Sequence, residues 1–360
     1  MQLAFPTSQS RSLYLLNIGT VSSKMHSKIT TLSFILPLLA YCTTAQEALY
    51  PPNFNASSEL FAYLPATNVT LCYQTIGNPA DPAVLLIAGA GTSMMMFSPQ
   101  LIGLLDSHYV IRFDLRDTGR STAFPLAADA LASPPYLLQD LIADVVGLMD
   151  HLAIPLHIAG FSLGGPLAFA AAAQRPHLTK SLFLAITSPV GLEAHDGLPP
   201  AHTLDPELVA RLGLPPALSD PEDSWVDYLQ RSQFLLYTQP PDEEEVRQQR
   251  VISQEVYRRG VGNATLVSRL NHAYALLHSG RWPREALQDI ECPVLVMSAA
   301  LDQTFDVVHG ETLAADLGAK AEFALYRDCG HELPKRIWGK LSADIARAVA
   351  RGESAWERRG

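Results

Sequence analysis

Apolar positions along the chain follow two rhythms. Ala83–Ile87, Leu156–Ala159, Pro293–Ala300 and Ala321–Tyr326 are short, nearly unbroken apolar runs. Such runs, bounded by turn residues, are read as strands buried on both faces, as in a parallel sheet. Directly after the second run, Pro166–Ala173 is alanine-rich and reads as a helix, with proline tolerated in its first turn. Between Thr187 and Pro293 the rhythm changes. Proline pairs at Pro199-Pro200, Pro215-Pro216 and Pro240-Pro241 separate or precede amphipathic stretches at 224–237, 242–259 and 266–277, a helical insertion between two strands.

The junction of strand and helix at 160–164 reads Gly160-Phe161-Ser162-Leu163-Gly164. A G-x-S-x-G segment in that setting describes a sharp turn that holds one serine hydroxyl clear of the backbone. It also aims the following N–H, that of Leu163, toward an oxyanion. A serine nucleophile needs a base, and the base an orienting acid, here in the chain order Ser, Asp or Glu, His. Asp302 follows the run ending at Ala300, and His331 lies in the turn after the run ending at Tyr326. Both therefore fall at carboxyl ends of strands, where open parallel sheets carry their sites. Asp306 and Asp196 are rivals for the acid. The second oxyanion donor is expected from the glycine-rich loop Ala88-Gly89-Ala90-Gly91-Thr92, with the Ala90 N–H first and Gly89 or Gly91 as alternatives. That loop lacks the Lys-Ser/Thr ending of a phosphate-binding loop and the glycine spacing of a dinucleotide site.

Four segments carry a wider resemblance: Leu71–Gly77, read as the first strand; Arg112–Ser121, containing Arg116-Asp117-Thr118-Gly119-Arg120-Ser121; Gly160–Gly165; and Cys329-Gly330-His331-Glu332-Leu333-Pro334. On these the chain resembles the α/β-hydrolases and is similar to the aclacinomycin methylesterase-like hydrolases of small-molecule esters. The resemblance implies a mostly parallel central sheet flanked by helices. It places core at 46–187 and 291–360, a helical lid at 188–290, and an N-terminal extension at 1–45. It also implies hydrolysis of a carboxylic ester, a methyl ester or lactone of a hydrophobic small molecule, with water as second substrate and no metal or cofactor, in natural-product biosynthesis. Asp117 and Arg120 would brace turns. Many relatives have His-Gly where this chain has Ala88-Gly89; a backbone donor survives that change. Thioesterase, C–C bond hydrolase and perhydrolase chemistry use the same residues. A non-catalytic small-molecule pocket and a cyclisation or elimination enzyme are the readings from other classes.

Composition narrows the partners. The 360 residues carry a net charge of −10 and no basic patch, which excludes a nucleic-acid partner. Met25-His26-Ser27-Lys28, the apolar run 29–40 and Thr43-Thr44-Ala45 resemble the parts of a secretory signal. A natural start would then be Met25 rather than Met1; a transit peptide, with a cytoplasmic or organellar protein, is the alternative. The apolar run is short for a membrane span, so no stable span is expected in the mature chain. Sequons at Asn55, Asn68 and Asn263 fit a glycosylated, secreted protein, although Asn68 is read as opening a core strand. Cys72 and Cys292, both read on strands, and Cys329 make an odd set once Cys42 leaves, so buried free thiols are expected. For the pocket, Met94, Met95, Met96 and Phe97 beside the glycine loop and Trp225, Tyr228, Phe234, Tyr237, His272, Tyr274 and Trp282 in the insertion are the expected lining residues.

Overall fold

The structure, a computed structural model, describes residues 54, 56–126, 129, 132–202, 212–262 and 264–359. The signal-like segment, Asn55 and Asn263 lie outside them. Eight strands form one sheet: β1 (Leu60–Leu64), β2 (Val69–Ile76), β3 (Ala83–Ile87), β4 (Tyr109–Phe113), β5 (Leu156–Phe161), β6 (Thr179–Ala185), β7 (Val294–Ala299) and β8 (Ala321–Tyr326), in the order β1-β2-β4-β3-β5-β6-β7-β8. β1 and β2 pair antiparallel, as do β2 and β4; every pair from β4 through β3 to β8 is parallel.

The unbroken apolar runs are explained by the two layers they serve. Side chains alternate across a strand. In β3, Leu85 and Ile87 join one core with helix α1 (Leu138–Leu152) and helix α2 (Gly164–Gln174). Val84 and Leu86 join the other, under the C-terminal helix, through its Leu341, Ile345 and Val349. A strand covered on both faces favours apolar side chains at nearly every position.

Between β6 and β7 the described chain is helical: α3 (Glu222–Phe234), α4 (Glu243–Val261), a single turn at Thr265–Ser268, and α5 (Asn271–His278). Asp242 caps α4 in a reciprocal box with Glu245, at 2.8 and 3.2 Å, which starts that helix directly after Pro240-Pro241. After β7 come α6 (Val307–Leu317) and, after β8, α7 (Trp338–Glu357).

Four expectations are corrected. The segment 71–77 belongs to the second strand, because Leu60–Leu64 precedes it and closes the edge as an antiparallel hairpin. Asn68 lies in the exposed turn of that hairpin, at φ +53°, and not in the core. Asparagine tolerates that left-handed backbone better than most residues. Cys292 precedes β7 rather than lying on it, though its thiol, like those of Cys72 and Cys329, is free and buried. The third amphipathic stretch is two pieces, broken between Ser268 and Asn271. Among the described residues no helix is long and apolar enough to cross a membrane.

Candidate active site

Ser162 sits between β5 and α2 with φ +55°, a backbone region that non-glycine residues rarely occupy. Three contacts hold it there. Its N–H donates to the Ala185 carbonyl at 3.0 Å, and its own carbonyl accepts from the Gly165 N–H at 2.9 Å and the Thr187 hydroxyl at 2.8 Å. The flanking glycines are there because the chain is close on both sides. A Cβ on Gly160 would stand 2.2 Å from the Gly164 carbonyl oxygen, and one on Gly164 would stand 2.3 Å from that of Ile87. The strain at Ser162 is thus overdetermined by its surroundings, the condition under which such strain persists at functional sites.

Two other strand ends meet this turn. His331 Nε2 lies 2.9 Å from Ser162 Oγ, and His331 Nδ1 lies 3.0 and 3.1 Å from the two Asp302 oxygens. A carboxylate only accepts, so Nδ1 carries the proton and the Nε2 lone pair faces the serine hydroxyl. Asp302 is itself fixed: its Oδ1 accepts from the Thr304 and Phe305 N–H groups at 2.7 and 3.0 Å. The rivals are elsewhere. Asp306 pairs with His202, and Asp196 with Arg281 and Arg284. Glu332, not singled out from sequence, is buried behind the histidine. It accepts from the Gly330 N–H and the Thr238 hydroxyl, each at 2.8 Å, and pairs with Arg336. This pins the turn carrying His331.

The glycine loop settles which N–H groups are spoken for. Gly89 N–H points to Met96 Sδ at 3.5 Å, and Gly91 N–H donates to His272 Nδ1 at 2.9 Å. Among the described residues the N–H groups of Ala90 and Leu163 have no such partner, and both residues line the cavity over Ser162. A Cβ placed on Gly89 would lie 3.8 Å from Ser162 Oγ, so the loop closely flanks the hydroxyl.

That cavity has a volume of about 590 Å³ and reaches Ser162 and His331. Of the eleven residues expected to line it, Met95, Met96, Tyr237 and Trp282 do. Met94 turns into a small core with Cys72, and Phe97 packs edge-on against Phe161 beneath the sheet, with ring centroids 5.3 Å apart. Trp225 is fully buried in a cluster with Tyr228 and Leu266, its indole N–H on the Ala217 carbonyl. His272 is buried on α5, its Nε2–H donating to the Arg116 carbonyl at 2.8 Å while Nδ1 accepts from Gly91. It braces the glycine loop rather than facing the cavity, and burial depresses its pKa, which keeps the ring neutral. The walls also include Leu236, Ile252, Phe305 and Trp338, which the sequence did not single out. Helical amphipathicity marks buried positions but does not say whether they face core or cavity, so no sequence signal separated Trp225 from Trp282.

Buried polar contacts fasten the helical insertion to the sheet. Arg259 of α4 pairs with Asp114 and Glu59, and Asn271 of α5 donates to Asp117 at 3.1 Å. Asp117 also accepts from the Tyr136 hydroxyl at 2.7 Å, and Arg120 pairs with Glu59 at 2.6 Å. Burial pushes the thiols of Cys72, Cys292 and Cys329 up to about 12, which leaves them without thiolate character. Among the described residues no cluster of His, Cys, Asp and Glu is arranged to hold a metal ion.

Comparison with known proteins gives the family and the fold. Residues 84–335 match the alpha/beta hydrolase family. The rhodomycin D methylesterase DauP of Streptomyces sp. (strain C5) is 27% identical over 299 residues, spanning 77% of this chain and 94% of that protein. Among solved structures, an esterase from Exiguobacterium antarcticum superposes with a TM-score of 0.60 at 19% identity, covering 81% of this chain and 100% of its own. The enol-lactonase of Burkholderia xenovorans LB400 gives 0.53 at 22% identity, covering 83% and 98%.

Proposed function

Since the chain belongs to the alpha/beta hydrolase family, we propose that it is a serine hydrolase that cleaves a carboxylic ester, a methyl ester or lactone, of a hydrophobic small molecule. The observation that carries this reading is the hydrogen-bonded series Ser162 Oγ, His331, Asp302, with separations of 2.9 and 3.0 Å, opening on a mainly apolar cavity. Ser162 attacks the ester carbonyl while His331 Nε2 takes its proton. Asp302 holds the imidazole tautomer and stabilises the imidazolium. The Ala90 and Leu163 N–H groups receive the oxyanion. His331 then protonates the leaving alcohol, and water, activated by the same base, frees the acid from Ser162. The helices between β6 and β7 act as the lid that shapes the cavity and excludes water. The likeness to a methylesterase favours a methyl ester, and natural-product metabolism as its setting.

The test is covalent. A fluorophosphonate probe should label the wild-type protein at Ser162, and Ser162→Ala should lose both labelling and hydrolysis of aryl and methyl esters, by about 10⁴-fold or more in kcat. Ester turnover that survives Ser162→Ala overturns the assignment. We further propose a secretory route. Asn68 is solvent-exposed in its turn, open to a glycosyltransferase. Expression in a eukaryotic secretory host should add glycan mass at Asn68 and release a chain trimmed near Ala45; an unglycosylated, untrimmed intracellular product refutes it.

A further inference from the structure

Arg269 stands in the linker between the turn at Thr265–Ser268 and helix α5, on the wall of the cavity that contains Ser162 and His331. Its guanidinium has no carboxylate within ion-pair distance among the described residues; its side-chain partner is the hydroxyl of Tyr228, itself buried. Two other enclosed arginines have carboxylate partners, and a third, Arg112, is held by the Phe97 carbonyl at 2.7 Å and the Gln74 amide oxygen at 2.8 Å. Arg116 pairs with Asp144 at 2.6 Å, and Arg259 with Asp114 and Glu59. Desolvation is strong enough at Arg269 to lower even a guanidinium pKa, yet the residue keeps part of its surface accessible. Arg269 is half-buried and is one of the residues that line the cavity.

A second orphan lines the same cavity. Ser253 of α4 lines the cavity, is buried, and its hydroxyl has no hydrogen-bond partner among the described residues. Gln249, one turn before it, also lines the cavity. Val256, one turn after it, packs into the cluster that contains Tyr228. A helix turn brings residues three and four apart onto one face, so Gln249, Ser253 and Val256 form a stripe leading toward the phenol that Arg269 contacts.

An enclosed cation without a counter-ion is costly, as is a buried hydroxyl without a partner. Both costs are removed by one ligand that brings negative oxygens. We propose that Arg269, with Ser253 lining the same cavity, is the anchor for a carboxylate carried by the ester substrate, away from the bond that Ser162 attacks. This rests on the ester-hydrolase reading above and narrows it: the preferred substrate is a half-ester, apolar in its body and anionic at one end. Arginine suits the role because its planar fork meets a carboxylate with two N–H donors and keeps its charge when enclosed.

The experiment compares the monomethyl and dimethyl esters of one aromatic dicarboxylic acid. For the wild-type protein kcat/KM should favour the monomethyl ester at least tenfold, mainly through KM. That ratio should fall about tenfold or more in Arg269→Met and by less in Arg269→Lys, which keeps the charge but not the two-donor fork. Binding is read separately in Ser162→Ala by calorimetry with the monomethyl ester, and again in Ser162→Ala/Arg269→Met, where affinity should drop about tenfold or more. Thermal melting checks folding. Removing an uncompensated buried charge should leave the Arg269→Met midpoint at or above that of the wild type. If fluorophosphonate labels Ser162 and both esters are cleaved without preference, the anchor is refuted and the hydrolase reading stands. If no ester is cleaved and Ser162 is not labelled, the hydrolase reading fails, and the calorimetric pair still decides whether Arg269 holds a carboxylate. If Arg269→Met and Arg269→Lys both melt well below the wild type, Arg269 is structural and the proposal is overturned.

Discussion

The floor and the roof of the cavity over Ser162 are built on different principles. The floor is three strand ends and a glycine loop. Each functional group there lies within a few residues of the strand that positions it: Ser162 after β5, Asp302 after β7, His331 after β8, Ala90 after β3. The roof, from Glu222 to Trp282, is helices held by partners far away in sequence, such as Arg259 with Asp114 and His272 with Gly91. Local geometry fixes the chemistry, and long-range packing fixes what the chemistry meets. A change in the floor should therefore abolish turnover or the fold, whereas a change in the roof should alter rate or selectivity.

The largest effect expected is from Asp302→Asn. It keeps the shape of the floor but donates where Asp302 accepts, which forces the wrong His331 tautomer. kcat should fall about 10⁴-fold with little change in KM, measured with a chromogenic ester; a loss under tenfold would remove Asp302 from the relay. Next is Gly164→Ala. Its methyl would meet backbone that cannot yield, 2.3 Å from the Ile87 oxygen. A loss of about 3 kcal/mol or more in chemical denaturation is expected; a silent change would mean that the turn is looser than its contacts imply.

Two buried histidines, one below and one above, sharpen the contrast. His157 on β5 lies between the Ser181 hydroxyl and Glu353, each at 2.8 Å, and burial lowers its pKa from 6.5 to about 4. Its unfolded form takes up a proton near pH 6.5, and its folded form does not until about 4. Stability from this group is therefore complete above 6.5 and lost as pH falls toward 4, by on the order of 3 kcal/mol. Urea unfolding at pH 7 and pH 4.5 should show that slope in the wild-type protein and a shallower one in His157→Gln; equal slopes would count against it. In the roof, His272→Ala frees the Gly91 N–H and loosens the loop that carries Ala90. kcat should drop about 10- to 100-fold, with KM moving less. His272→Asn, whose amide oxygen falls near the position of Nδ1, should restore part of it. If His272→Ala changed KM alone, the contact would be a matter of packing and not of the oxyanion.

Legibility followed the same division. Ser162, His331 and Asp302 were readable because a strand run, a turn and a helix start leave marks within about ten residues of each other. Chain order then chose Asp302, and in the structure Asp306 and Asp196 are engaged elsewhere, by His202 and by Arg281. The roof left weaker marks. Trp225, Trp282 and His272 are all ring-bearing residues of the same insertion, yet one is core, one is cavity wall and one braces the glycine loop. Arg269 was unreadable for the same reason: in sequence it is one basic residue among many, and its lack of a carboxylate is a property of its neighbours.

By itself, then, the sequence determined the layered sheet, the turn at Ser162 and the order of the groups that serve it. Period-2 burial and steric need for glycine act over short stretches of chain and leave residue types as their record. Tertiary structure alone decided which N–H groups stay open to an oxyanion, which side chains enclose the cavity and which charge is left uncompensated within it. Those depend on contacts between segments more than a hundred residues apart, such as Gly91 with His272, and no local pattern encodes the partner at the far end.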